Sequence, residues 1–144
     1  MERLTSDLTT ISWEKTWQAI RSLLPNAEYC TPASLTLAAE KVNIPVVLLN
    51  PDDFPQHGSD PLLLRKLLGR SKLDESIIVV TDCCFREGWT PFLLRLAEVE
   101  MFATEYRRLT DECVISGSDV VLISPESKYL VLLHHEGAIA TVGR

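Results

Sequence analysis

The chain has 144 residues, of which 46% are hydrophobic and 24% charged, as is typical of a single globular domain with a sizeable core. Its 20 acidic residues outnumber 14 Lys and Arg, and the formal charge of -6 disfavours direct binding to nucleic-acid phosphates. No apolar run approaches the ~20 residues of a membrane helix, and the N-terminus lacks the pattern of a signal peptide. With four unevenly spaced cysteines, these features predict a cytoplasmic protein with reduced thiols, no disulfide framework and no membrane contact.

Helices are expected through the first three quarters of the chain. The first begins after Ser12, carries Trp13 and Trp17 on its buried face, and ends at Pro25. An oxygen-bearing cap followed by proline predicts three further helix starts, at Thr31-Pro32, Asp60-Pro61 and Thr90-Pro91.

The three later helices differ in their apolar faces. The second runs to about Lys41, and the third is leucine-rich and ends at Gly69. The leucines of this third helix cover more of its circumference than a single buried face requires, which suggests a homo-oligomer formed through Leu63 or Leu64. The fourth is the longest, and its apolar face carries Phe92, Leu96, Val99, Ala103 and Tyr106.

Two continuous apolar runs, residues 46–49 and 77–80, predict strands that are buried on both faces. After the fourth helix, apolar runs at 120–123, 129–134 and 138–142 are separated by turn residues and predict an antiparallel meander. We therefore expect an α/β (α+β) fold in which about four helices pack on a mixed sheet of about five strands.

The segment His134-His135-Glu136-Gly137 places two imidazoles and a carboxylate at a strand end. Because adjacent strand residues point to opposite faces, His134 and His135 are not expected to converge on one ion without a bulge. Cys83-Cys84 lacks the two-residue spacer of redox and zinc motifs. The sequence therefore predicts neither a metal nor another cofactor.

Asp52 and Asp53 follow the first apolar run and Asp82 follows the second, so these carboxylates could face each other if the two strands are neighbours. Aspartates at strand ends are also common turn formers, and no glycine loop that binds phosphate accompanies them. We expect no catalytic activity. The alternative is a small hydrolase or metal-dependent enzyme that uses these carboxylates, Cys83, or the histidines at 134 and 135.

The stretch from Thr81 to the C-terminus resembles small immunity proteins of bacterial polymorphic toxin systems of the contact-dependent inhibition type. The resemblance lies in the turn at Asp82, the long helix, the strand over residues 119–124, and the closing His134-His135-Glu136-Gly137. It implies a small, acidic, non-enzymatic protein that binds and neutralises a cognate toxin, often a basic nuclease. No individual binding residue follows from it.

We expect the binding site in the loops after the two apolar runs, where side-chain identity matters least for fold stability. The predicted acidic contacts are Asp52, Asp53, Asp82 and Glu87, which would attract a cationic toxin domain. The aromatic anchors predicted beside them are Phe54, Phe85 and Trp89. The remaining alternative is a regulatory or chaperone-like subunit, which would expose a large apolar surface.

Overall fold

A computed structural model describes residues 8–50, 60–112, 114 and 119–143. These residues form five α-helices packed against a six-stranded sheet, which confirms the predicted α+β class. The helices are Trp13–Leu23 (α1), Pro32–Lys41 (α2), Asp60–Leu67 (α3), Asp82–Arg86 (α4) and Val99–Thr110 (α5). The strands are Val46–Leu49 (β1), Ser76–Val80 (β2), Phe92–Arg95 (β3), Val120–Ser124 (β4), Tyr129–Leu133 (β5) and Ile139–Gly143 (β6).

The first two helices begin as their capping residues predict. The hydroxyl of Ser12 accepts a hydrogen bond from the backbone N–H of Lys15, and that of Thr31 accepts one from Ser34. Pro32 occupies the first turn of α2, where the missing N–H costs no helical hydrogen bond.

The strand order is β1-β6-β5-β4-β2-β3, and every pair is antiparallel. The C-terminal meander is thus confirmed, whereas the mixed sheet is a wrong prediction. Strands β4 and β5 are buried along their whole length, as is β2 after its first residue. In these central strands the continuous apolar run corresponds to burial on both faces, but it does not indicate strand direction.

The segment predicted as the start of the long fourth helix is strand β3. Phe92 pairs with Val79 of β2, so Pro91 precedes an edge strand and does not begin a helix. A 3₁₀ turn over Leu96–Glu98 follows, and α5 begins at Val99. The helical period of the apolar residues is real, but it starts after the strand.

Strand β1 is also corrected, because it lies at the edge of the sheet and is not buried on both faces. Val47 is 52% exposed and Leu48 is 76% exposed, while Val46 and Leu49 pack against the core. Alternate residues of a strand share a face, so each face of β1 has one side chain packed on the core and one exposed to solvent.

The core is centred on β2, β4, β5 and the inner face of α5, where Phe92 stacks edge-on against Phe102 and Tyr106. Trp13 and Trp17 are partly buried against this core. In α3, Leu63 and Leu64 are buried and Leu62 is 58% exposed, so the two leucines predicted for self-association belong to the core. No helix in the described ranges is both long and apolar enough to cross a bilayer.

Candidate functional site

Carboxylates gather at one end of the sheet, which we call the upper rim. Strands β2 and β5 end there and β4 and β6 begin there, as the antiparallel registers require. The rim includes α4, the turn between β5 and β6, and the residues just before β4. We define the acidic rim as Asp82, Glu87, Glu112, Asp119 and Glu136.

Arg86 in α4 connects two of these carboxylates. Its guanidinium forms an ion pair with Asp82 one helical turn away and another, at 3.0 Å, with Glu112, which lies beyond the end of α5. The pair with Glu112 links α4 to the end of α5, the pair with Asp82 lies within α4, and both compensate part of the local negative charge. Glu87 is exposed after α4, and exposed Arg107 in the last turn of α5 also lies toward this end.

The β5–β6 turn is closed by its own backbone. The N–H of His134 donates to the carbonyl of Ala138 at 2.9 Å, and the N–H of Gly137 donates to the carbonyl of His134 at 2.8 Å. Gly137 has a φ of 99°, a conformation that side-chain-bearing residues rarely adopt. The turn therefore holds His135 and Glu136 at its tip in a defined geometry.

Asp119 ties the start of β4 to this turn. One of its carboxylate oxygens accepts a hydrogen bond from the backbone N–H of His135 at 2.7 Å and lies 3.0 Å from the Nδ1 of the same residue. Partial burial acts to raise the pKa of Asp119, but the hydrogen bonds from His135 outweigh it, so the pKa lies below its ordinary value. Asp119 is thus a carboxylate at neutral pH.

The two histidines converge, contrary to the prediction. Strand β5 ends at Leu133, so His134 and His135 lie in the turn and the alternation of a strand does not apply to them. Their ring centroids are 4.2 Å apart, with an angle of 31° between the ring planes. One potential ligand atom from each of Asp119, His134 and His135 lies within 4.8 Å of the other two.

The opposite end of the sheet, which we call the lower rim, has a different charge. Arg70, Lys72 and Lys128 lie in the loops there, together with the exposed acids Asp74 and Glu126. The charge of the described residues is therefore polarised, with carboxylates predominating at the upper rim and mixed charges at the lower rim.

The carboxylates after β1 and β2 could face each other only if these strands were neighbours, and the strand order shows that they are not. Strands β6, β5 and β4 separate the two strands. At ~4.8 Å per strand, their ends lie about 19 Å apart along the rim. Asp52, Asp53 and Phe54 fall outside the described residues.

The other predicted contact residues lie in or beside α4. Asp82 is bound to Arg86, Glu87 is exposed, and Phe85 is half-buried against the core. Trp89 is 7% exposed and packs edge-on against Phe92, so its side chain belongs to the core and does not protrude as an anchor.

The vicinal thiols after β2 are buried in an environment that keeps them protonated. The hydroxyl of Tyr106 donates a hydrogen bond to the Sγ of Cys83 at 3.2 Å. Burial raises the pKa of both Cys83 and Cys84. Because the thiolate is the reactive form, these cysteines have little nucleophilic character in the folded chain.

Asp119 and Glu112 were not identified from the sequence. The signal for Asp119 was present, because pairing the runs 120–123 and 129–134 across their turn places Asp119 opposite His134 in the register that the structure adopts. Glu112 carried no comparable signal, since its position depends on the packing of α5 beside α4.

No family model matches the chain, and no curated protein or solved structure is significantly similar to it.

Proposed function

We propose that this protein is a non-catalytic binding protein that neutralises a cognate basic toxin domain by direct contact through the acidic rim. The observation that carries the proposal is the charge polarity of the fold. Asp82, Glu87, Glu112, Asp119 and Glu136 share the upper rim, in a chain of formal charge -6. A field of one sign at one end attracts and orients a cationic partner.

The geometry of the rim suits recognition without a large rearrangement. Glu136 is 77% exposed at the tip of a turn that is closed by backbone hydrogen bonds and held by Asp119. Elsewhere on the rim, the ion pair of Arg86 with Glu112 links α4 to the end of α5. Side chains that are already positioned lose less conformational freedom on binding, which favours affinity.

The direct experiment is co-expression with the product of the neighbouring reading frame. The proposal predicts that this chain co-purifies with that product and protects the cell from its activity. Reversing two exposed rim charges, Glu87→Lys with Glu136→Lys, should weaken the complex.

The matched control is Asp74→Lys with Glu126→Lys, which makes the same change of net charge at the lower rim, where both acids are exposed. The control should leave binding nearly unchanged. If both double substitutions weakened the complex equally, the effect would come from net charge, and the acidic rim would not be the binding site. Absence of both binding and protection would remove the function.

The edge of the sheet favours a second candidate, a regulatory or chaperone-like subunit that is covered in a complex. Val47 and Leu48 are exposed on edge strand β1, and Leu37 and Val42 are exposed on and just after the neighbouring helix α2. Apolar edge strands bind extended segments of other chains by adding a strand to the sheet. If this role is correct, Leu48→Lys should abolish partner binding while the charge reversals at the upper rim leave it intact.

A further inference from the structure

Two imidazoles and a carboxylate meet at the tip of the β5–β6 turn, an arrangement that partner recognition by charge does not require. We propose that Asp119, His134 and His135 form a binding site for one divalent transition-metal ion, and that Zn²⁺ fits the site best. Zn²⁺ binds imidazole nitrogen and carboxylate oxygen at about 2.0–2.2 Å and commonly takes three protein ligands plus water.

The distances suit a shared ion. His135 Nδ1 and the nearest Asp119 oxygen are 3.0 Å apart, and bonds of about 2.1 Å at a tetrahedral angle require about 3.4 Å between two ligand atoms. The ligand atoms of all three residues lie within 4.8 Å of one another. Small rotations of the partly or fully exposed side chains therefore bring them to one centre.

The surroundings support the same geometry. A carboxylate oxygen has two lone-pair sites, so the Asp119 oxygen nearest His135 can retain the hydrogen bond from the His135 backbone and also coordinate the ion. The Nε2 of His135 lies 3.9 Å from the Glu136 carboxylate. A small rotation of the exposed Glu136 side chain would let it accept a hydrogen bond from this nitrogen, and such a bond orients a ligating histidine and strengthens it as a ligand.

Metal binding must also displace existing contacts. The His135 ring loses its contact with Asp119. The Nδ1 of His134 loses the 3.2 Å hydrogen bond that it accepts from the backbone N–H of Glu136. Both contacts are exposed, so water can replace the lost partners at small cost. The backbone bonds that close the turn are unaffected.

The test is calorimetric titration of the full chain with Zn²⁺, in a Cys113→Ser background that removes a thiol outside the described residues. Tetrahedral coordination is checked by the visible absorption of the Co²⁺ complex. The proposal predicts a stoichiometry of one. It also predicts that His134→Gln and His135→Gln each weaken binding at least about tenfold, a loss that even the outer partners of metal ligands can cause.

His57→Gln is the matched control, because His57 is the one histidine of the sequence that is not among the three proposed ligands. It should leave the affinity unchanged. A second measurement uses the unsubstituted protein, in which Zn²⁺ should shift the imidazole ¹⁵N resonances of His134 and His135. Three results would each overturn the proposal: no Zn²⁺ binding at millimolar metal, undiminished binding in both His134→Gln and His135→Gln, or resonance shifts confined to His57.

Discussion

The buried carboxylate of Glu75 allows a quantitative prediction about stability. Glu75 is 1% exposed and accepts hydrogen bonds from the backbone and hydroxyl of Ser127, at 3.2 and 2.6 Å, from the backbone of Lys72 at 3.3 Å, and from the hydroxyl of Ser124. It therefore joins the loop before β2 to the β4–β5 turn. The substitution Glu75→Gln replaces one carboxylate oxygen with an amide NH₂ group. This group is itself a donor, so it cannot accept the hydrogen bonds that the oxygen accepted.

Hydrogen bonds to charged groups contribute about 1.5–3 kcal/mol each, and a buried group left unpaired costs about 1–3 kcal/mol. The cost of burying the carboxylate itself offsets part of this loss. We expect Glu75→Gln to lower the free energy of unfolding by about 2–3 kcal/mol at neutral pH, measured by urea denaturation. Glu126→Gln, exposed in the same turn, is the control and should change it by less than about 0.5 kcal/mol.

The same substitution predicts a pH dependence. Burial acts to raise the pKa of Glu75, but the hydrogen bonds from Ser124, Ser127 and Lys72 outweigh it, so the folded-state pKa lies below the ordinary value. The stabilisation is therefore fully present above the unfolded-state pKa and is lost as pH falls through the folded-state value. The difference from Glu75→Gln should shrink below about pH 4. A difference that is absent at pH 7, or that grows on acidification, would refute this reasoning.

Three further predictions concern the core and the surface. Phe92→Ala should lower the free energy of unfolding by about 3–5 kcal/mol, because the Phe92 ring centroid lies 5.3 Å from that of Phe102 and 5.8 Å from that of Tyr106. A loss below about 1 kcal/mol in thermal unfolding would contradict this packing. Leu48→Lys should change stability by less than about 0.5 kcal/mol because Leu48 is 76% exposed, and a larger loss would mean that β1 is covered. Burial raises the pKa of Cys30 to about 12, so iodoacetamide should label this thiol only after unfolding, as mapped by mass spectrometry; equal labelling rates in folded and unfolded protein would contradict its burial.

Local signals in the sequence predicted the fold where one physical cause dominated. Ser12 and Thr31 cap their helices as expected, and the meander follows from apolar runs separated by short turns. Thr90-Pro91 gave the same local signal as a helix start, yet Phe92 pairs with Val79 in the sheet. Propensity near a proline could not anticipate this pairing, because it depends on a strand that lies earlier in the chain.

The candidate site was less predictable because it depends on register and on the end of a strand. Adjacent residues of a strand point to opposite faces, so the sequence predicted that His134 and His135 would point apart. This prediction was wrong because β5 ends at Leu133, before both histidines. Asp119 joins them through the β4–β5 pairing, and the link from Arg86 to Glu112 depends on how α5 packs beside α4. Charge at the upper rim could be expected from the sequence, whereas the arrangement of individual side chains required the tertiary structure.

The central claim, that the acidic rim binds a basic toxin domain, is tested most directly by the association rate with the product of the neighbouring reading frame at two salt concentrations. The account predicts fast association that slows as salt rises, because screening weakens attraction between the rim and a cationic partner. Glu87→Lys with Glu136→Lys should lower the rate and its salt dependence, and Asp74→Lys with Glu126→Lys should not. No association, or a rate insensitive to both salt and the rim charges, would contradict it.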